Sequence, residues 1–386
     1  FLHSIGGLIL MSGTFKIMAV FGTRPDALKM APVVNELKRY PEKVRVVVAV
    51  TAQHREMLDQ VLSIFDIRPD YDLNIMLPNQ TLTQIATRAL NGLDPILAAE
   101  QPQLVLVQGD TLTTFAAGLA AFFHRVDVGH VEAGLRTDDK YNPFPEEMNR
   151  RLTTRLADLH FAPTERARQT LLADGVRPED IYVTGNTVID ALLATAEKPF
   201  EFTEPPLSEV DFGAHRTILV TAHRRENWGE PIRDICRALR QIIQEFPDTQ
   251  AIFQMHKNPV VRDVIREELG SVPRVLLVEP QEYVPWVHLM KRAYLVLTDS
   301  GGIQEEAPSL GLPVLVVRET TERPEGVDAG VAKLVGTNPE RIVAEARELL
   351  GNKEAYRRMA HAVNPYGDGR SAEYIREAIF TRYGLG

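Results

Sequence analysis

Three carboxylates in the first half of the chain stand at the ends of candidate elements. They are Asp110 in Gln108-Gly109-Asp110-Thr111, Glu132 in His130-Val131-Glu132-Ala133-Gly134-Leu135-Arg136, and Glu146 in Pro145-Glu146-Glu147. Singly, each is what a helix cap or a salt bridge asks for, and Asp110 before Thr111 suits a helix N-cap. Read with Arg24 and Arg136 in comparable loops and Lys29 one turn into the first helix, they form one candidate cluster. Carboxylates grouped in a closed site have raised pKa values and exchange protons with a bound substrate. In the second half, His223 ends the run Thr221-Ala222. It is a base, a donor to phosphate or a structural histidine. The stretch Thr298-Asp299-Ser300-Gly301-Gly302-Ile303-Gln304-Glu305-Glu306-Ala307 follows the apolar run Tyr294-Leu295-Val296-Leu297. It reads as a strand, a glycine turn and a helix start, whose free N–H groups suit a phosphate. Glu305 or Glu306 is placed to accept hydrogen bonds from a ribose. The same pattern also serves as a plain turn with first-turn carboxylates favoured by the helix dipole.

These residues together describe a phosphate-bearing ligand held by Ser300-Gly301-Gly302 and by Arg and Lys side chains, with carboxylates at its other end. No Gly-x-Gly-x-x-Gly follows a strand and no Gly-x-x-x-x-Gly-Lys-Ser/Thr occurs. A tightly bound dinucleotide and a P-loop are therefore not expected. No His/Cys group has zinc-ligand spacing. Asp70-Tyr71-Asp72 resembles an acidic metal-binding pair but lies in a polar stretch between elements. The expectation is acid–base or group-transfer chemistry without metal or cofactor.

The elements that must position these residues alternate in type. Strand-like runs at 16–21, Val44 to Val50, 104–107, 126–131, Leu159 to Ala162 and 181–184 are separated by helical patterns such as Met30, Val33, Val34 and Leu37. A Val-rich run like 44–50 fits a parallel strand covered on both faces. The stretch 197–215 contains Pro199, Pro205, Pro206 and Gly213 and reads as a linker. A second alternation follows, with strands at 217–220, 251–254, 275–278, 295–297 and 313–317. Its first helix opens near Pro231 and places Ile232, Ile235, Leu239, Ile242 and Phe246 on one side; another spans 340–350. This predicts an α/β protein of two doubly wound, Rossmann-like domains facing a cleft, with ligands beyond the carboxyl ends of the strands.

With 386 residues, the chain is long enough for about two domains. A net charge of −9 argues against a broad nucleic-acid surface. The single cysteine, Cys236, allows no internal disulfide and sits in an amphipathic helical pattern, so it reads as core. No apolar run approaches the roughly 20 residues of a membrane span. Residues 1–10 lack a basic n-region and make a poor signal peptide; Met11 is the expected natural start.

At these loops the chain strongly resembles the bacterial non-hydrolysing UDP-N-acetylglucosamine 2-epimerases. The matching stretches are Phe21-Gly22-Thr23-Arg24-Pro25, Thr51-Ala52-Gln53-His54-Arg55, Gly109-Asp110-Thr111, 129–137, Pro145-Glu146-Glu147-Met148-Asn149-Arg150, Gly185-Asn186-Thr187, 222–227 and 297–323. They run in one order from Lys16 to about Gly369. The resemblance implies a GT-B-like fold. It divides the chain into an N-terminal domain 11–196, completed by a last helix at 366–386, and a UDP-binding domain 197–365. It implies reversible interconversion of UDP-GlcNAc and UDP-ManNAc through loss of UDP to a 2-acetamidoglucal and re-addition. The expected setting is a cytoplasmic homodimer supplying sugars for cell-surface polysaccharide.

Residue by residue, the resemblance assigns catalysis to Asp110, Glu132, Glu146 and His223, with Lys29 near the substrate. It assigns UDP binding to Arg24, Gln281, Trp286, Ser300, Gly301, Gly302, Glu306 and Arg323; the family usually has Phe at the position of Trp286. Arg136 completes the substrate-binding expectation. Activation by a second UDP-GlcNAc is implied at Gln53, His54, Glu146, Arg224 and His256. Glu56 and Asn79 depart from the Gln and Arg of some regulated members, so a weaker effect is expected. A GT-B glycosyltransferase, a hydrolysing 2-epimerase, a relative acting on a diacetamido UDP-sugar and a non-catalytic UDP-sugar sensor remain as alternatives.

Overall fold

The computed structural model describes residues 14–52, 55–137 and 139–386. Gln53 and His54, Met11 and the first ten residues lie outside the described residues. The chain forms two compact units, one running through Ala191 and resuming at Gly369–Gly386, the other Leu192–Asp368.

Among the described residues the first unit carries seven strands: β1 (Phe15–Phe21), β2 (Val44–Val50), β3 (Tyr71–Asp72), β4 (Leu104–Gln108), β5 (Asp127–Val131), β6 (Leu159–Ala162) and β7 (Ile181–Val183). Their order is β3-β2-β1-β4-β5-β6-β7, with every pairing parallel. Helices α1 (Arg24–Lys38), α2 (Arg55–Ile64), α3 (Leu82–Glu100), α4 (Leu112–Phe123), α5 (Glu146–Leu156) and α6 (Glu165–Ala173) supply the crossovers, and α7 (Thr187–Ala196) follows the last strand. The Val-rich β2 and the apolar β4 are buried almost throughout, as a parallel sheet covered on both faces requires.

Two local rules shape the ligand edge of this sheet. Gly22, after β1, admits no side chain: a Cβ there would lie 2.1 Å from Thr51 Oγ1 and 2.6 Å from Thr113 Oγ1. Its absence lets those hydroxyls meet at 2.8 Å. Thr23 then caps α1 in a reciprocal capping box with Asp26. Thr111, not Asp110, caps α4 through its bond with Thr114 N, which leaves the Asp110 carboxylate for other work.

The second unit carries six strands: β8 (Arg216–Thr221), β9 (Thr249–Gln254), β10 (Val275–Val278), β11 (Leu295–Thr298), β12 (Val314–Val316) and β13 (Ala332–Leu334). They are again all parallel, in the order β10-β9-β8-β11-β12-β13. The helices are α8 (Glu230–Glu245), α9 (Pro259–Leu269), α10 (Tyr283–Arg292), α11 (Gly301–Glu306), α12 (Pro324–Asp328), α13 (Pro339–Gly351) and α14 (Lys353–Ala360). Cys236 is fully buried on α8 among Ile232, Ile235 and Leu239, and burial pushes its thiol up to about 12.

The stretch 197–215 is better described as a strap than a loose linker. Phe200 stacks on His288 at 4.7 Å, and Arg292 lies over Phe202 and Phe212. Lys291 and Arg292 of α10 donate to the carbonyls of Ala196 and Phe200. The last helix, α15 (Ser371–Tyr383), starts later than the expected 366. Residues before it turn through Gly367 and Gly369, both at positive φ. Asp190 accepts from the backbone N–H groups of Ser371 and Ala372, and Arg376 pairs with buried Glu36 of α1. These contacts close the first unit around its own C-terminal segment.

Candidate active site

Both sheets reverse their winding at one pair of central strands, β1 beside β4 and β8 beside β11. At such a switch point neighbouring loops part to opposite faces and leave a crevice. The loops singled out above follow these four strands, together with the loop after β5.

In the first unit the β4 loop is held from several sides. Asp110 pairs with Arg150 of α5 at 2.5 Å, and Asn149 Nδ2 donates to the Asp110 carbonyl at 2.9 Å. Arg150 is anchored in turn by Glu147, which is 0% exposed. Glu147 also accepts from Arg151 at 2.6 Å and from Thr137 N at 3.0 Å, so its buried charge is fully answered. From beneath, buried His130 Nε2 donates to the Gly109 carbonyl at 2.7 Å. Burial pushes His130 down to about 4, so it stays neutral and acts as a fixed donor.

Glu132 sits directly after β5 in the left-handed region, at φ 65°. That conformation is uncommon for a non-glycine residue and is held in place here by partners. Its carboxylate pairs with Lys29 of α1 and accepts from Asn186 Nδ2 at 3.0 Å. Its Oε1 lies 4.0 Å from where a Cβ on Gly109 would be. The Glu132 carboxylate therefore adjoins the Asp110 loop, and Lys29 neutralises it there. Glu146 is the first residue of α5, and its side chain has no ion pair or hydrogen bond among the described residues. Arg24 opens α1 at the same edge.

Asp26 is a fourth carboxylate at this edge. It is 4% exposed and accepts from Gly22 N at 3.4 Å, Thr23 N at 3.3 Å and Thr111 Oγ1 at 3.2 Å. Burial pushes it up to about 6, against the pull of those hydrogen bonds, and nearby Asp110 adds to the rise. Arg136, expected on the substrate, is instead bound into the fold. Its guanidinium pairs with Asp174 at 2.8 Å and donates to Thr154 Oγ1 and the Leu135 carbonyl. The acidic stretch at Asp70 is likewise structural: Asp70 accepts from Val48 N at 2.7 Å and Asp72 from Asn74 N at 3.0 Å.

In the second unit, Ser300 is the N-cap residue of α11, and its side chain makes no capping bond. The N–H groups of Gly301 and Gly302 precede the first helical bond, from Gln304 N to Ser300 O. A Cβ on Gly301 would lie 3.8 Å from the Arg323 guanidinium carbon and 3.9 Å from Arg224 Nη2, so two guanidinium groups flank the glycine turn. Arg323 pairs with Glu305, which is buried and therefore not the ribose acceptor; Glu306 reaches over Gly302. Asn364 supports this turn by donating to the Glu305 carbonyl at 2.8 Å. Gln281 N donates to Gln254 Oε1 at 2.9 Å, and Trp286 buries its ring on α10.

Beneath this turn lies Asp299, 0% exposed. Its Oδ2 accepts from His223 N and Arg224 N, each at 2.8 Å, and from Asn227 Nδ2 at 3.0 Å. Burial opposes its charge, but His223 and the two backbone amides hold it below the usual carboxylate range. His256 stacks on His223 with ring centroids 6.2 Å apart. Arg224 and His256, expected at an activator site, are thus immediate neighbours of His223 and the glycine turn. Sequence reasoning gave no role to Asp26, His130, Glu147 or Asp299. The only signal was their position beside marked residues in the same loops.

The arrangement supplies one cluster in each unit. One has carboxylates neutralised by Lys29 and Arg150, suited to moving protons. The other has free helix N–H groups and guanidinium groups, suited to a diphosphate. The family model described as UDP-N-acetylglucosamine 2-epimerase matches residues 35–380. A Bacillus subtilis UDP-N-acetylglucosamine 2-epimerase is 53% identical over 369 residues, covering 96% of each chain. A crystal structure of UDP-GlcNAc 2-epimerase from Neisseria meningitidis bound to UDP-GlcNAc is similar with a TM-score of 0.83 and 49% identity, over 95% of this chain and all of that one. A glycotransferase of kitacinnamycin shares the fold alone, at 15% identity and a TM-score of 0.64 over 97% of this chain and 100% of that one.

The raised pKa of Asp26 gives a stability test. The folded state holds this proton more tightly than the unfolded chain does, so stability falls as pH rises from about 4 to about 6 and then levels. Over roughly two units the loss is about 2–3 kcal/mol. Asp26→Asn keeps an acceptor oxygen and should remove that decline in chemical denaturation series between pH 4 and 7. Equal slopes in the two proteins would show that Asp26 ionises normally.

Proposed function

The chain belongs to the UDP-N-acetylglucosamine 2-epimerase family, and from that premise we propose that it interconverts UDP-GlcNAc and UDP-ManNAc without hydrolysis. The observation that carries this reading is the convergence of the Glu132 carboxylate, with Lys29, on the Gly109–Asp110 loop held by Arg150. Epimerisation at C2 needs a proton removed from one face of the sugar and returned to the other. Two faces call for more than one proton carrier, and Asp110, Glu132 and Glu146 are the candidates.

The C2 proton is not acidic in the resting substrate, because no carbonyl adjoins it. As the C1–O bond to UDP breaks, positive character at C1 acidifies it. Arg323, Arg224 and the N–H groups at Ser300-Gly301-Gly302 stabilise the departing diphosphate. A carboxylate removes the C2 proton, which leaves a glycal beside UDP. Delivery of a proton to the opposite face and return of UDP to C1 complete the inversion. The product is an activated N-acetylmannosamine, which we assign to cytoplasmic supply of cell-surface polysaccharide.

We further propose that the enzyme is a homodimer. Helix α4, Leu112-Thr113-Thr114-Phe115-Ala116-Ala117-Gly118-Leu119-Ala120-Ala121-Phe122-Phe123, is apolar on nearly all sides, as a buried helix would be. Yet Phe122 is 60% and Phe123 67% exposed, with Leu82 of α3 and Leu152 of α5 also exposed. A second copy of the chain would cover Phe122 and Phe123 at the end of α4. Light scattering should give twice the mass of 43.2 kDa, and Phe122→Glu with Phe123→Glu should halve it. A monomeric wild type would refute the proposal.

Incubation with UDP-GlcNAc alone tests the reaction itself. UDP-ManNAc should accumulate to equilibrium without any acceptor. Asp110→Asn, Glu132→Gln and Glu146→Gln should each cost about 10²–10⁴ in rate. Arg323→Ala should weaken UDP binding by about 1.5–3 kcal/mol. Release of free ManNAc would mean hydrolysis instead. A requirement for an added acceptor would mean glycosyl transfer.

A further inference from the structure

Asp299 has two oxygens in different circumstances. Oδ2 is saturated by the His223 and Arg224 backbone N–H groups and the Asn227 amide. Oδ1 is buried and receives no linear hydrogen bond; His223 Nδ1 lies 2.8 Å from it at an angle. A carboxylate oxygen has no proton to offer, so the nitrogen facing it must carry one. The other ring nitrogen, Nε2, has no partner among the described residues, and the His223 side chain is 40% exposed. The backbone bonds matter as much as the ring contact. They fix the carboxylate's orientation, so Oδ1 cannot turn away from the ring without breaking three hydrogen bonds.

We propose that Asp299 is a positioning residue for the epimerase reaction, fixing His223 as the Nδ1–H tautomer so that Nε2 is the nitrogen that accepts a proton or hydrogen bond from the sugar nucleotide. This deepens the reading in which His223 meets the substrate, and rests on it. It chooses between the roles open to His223. A neutral ring with Nδ1–H accepts at Nε2 and does not donate to a phosphate oxygen. After Nε2 gains a proton, the ring donates there, and Asp299 supplies the counter-charge to the imidazolium. Asp299 thus lets one ring serve first as acceptor and then as donor without rotating.

Asp299→Asn tests this with nearly unchanged shape. The three donors at Oδ2 will keep the amide oxygen there, which turns the amide NH₂ toward His223 Nδ1. That nitrogen must then be the acceptor, and the proton moves to Nε2. Histidine ¹⁵N NMR should show His223 as Nδ1–H in the wild type and Nε2–H in Asp299→Asn. The variant's kcat with UDP-GlcNAc should fall about 10²–10⁴-fold, as for a wrong-tautomer histidine in hydrolytic triads. Its UDP affinity should stay within a few-fold. An Nε2–H wild type would overturn the proposal, as would a variant that switches tautomer yet keeps kcat, or one that loses kcat without switching. If Asp299→Asn does not fold, wild type and Asn227→Ala decide: Nδ1–H in both supports the proposal, and Nε2–H in either overturns it. The spectra read the tautomer whether or not UDP-GlcNAc is the substrate. Wild-type turnover separately tests the functional reading.

Discussion

A parallel sheet opens a crevice at its carboxyl edge only where successive crossovers change face. Each sheet here does so once, between β1 and β4 and between β8 and β11. That constraint gathers residues far apart in sequence. Arg24 and Lys29 follow β1, and Asp110 follows β4; His223 and Arg224 follow β8, and Ser300 to Gly302 follow β11. The flanking strands add Glu132 after β5 and Arg323 beyond β12.

Keeping charge at such edges is costly unless each group is answered. The structure answers them with fully buried carboxylates behind the exposed ones. Glu147 holds Arg150, which holds Asp110. Asp299 holds the loop that carries His223, Arg224 and Asn227. Lys29 answers Glu132 directly. A supporting group of this kind fixes the position of its neighbour through hydrogen bonds and ion pairs.

The strands and longer helices were legible because their apolar patterns are local. Val44 to Val50 and the Ile232 to Ile242 face needed no tertiary information. β3 and β13 were not: Tyr71–Asp72 is two residues in a polar stretch, and exposed Lys333 interrupts the short apolar run of Ala332–Leu334. The linker reading of 197–215 followed its prolines and missed that Phe200, Phe202 and Phe212 pack against α10, a contact formed nearly ninety residues away in sequence. Arg136 looked like a substrate ligand until Asp174 and Thr154 were seen around it. The supporting carboxylates were hidden for the same reason. Asp110 meets Arg150 across 40 residues, and Asp299 meets His223 across 76. The cap reading weighed for Asp110 belongs to its neighbour Thr111, and the Asp110 carboxylate pairs with Arg150 instead.

The central claim is that C2 inverts by removal and return of its hydrogen through side chains of the first unit. Turnover of UDP-GlcNAc in D₂O, followed by NMR and mass spectrometry of both sugars, tests it most directly. Deuterium should enter C2 of UDP-ManNAc and of recovered UDP-GlcNAc, with trace 2-acetamidoglucal and UDP in long incubations. Epimer formed with its original C2 hydrogen, and no glycal, would contradict the account.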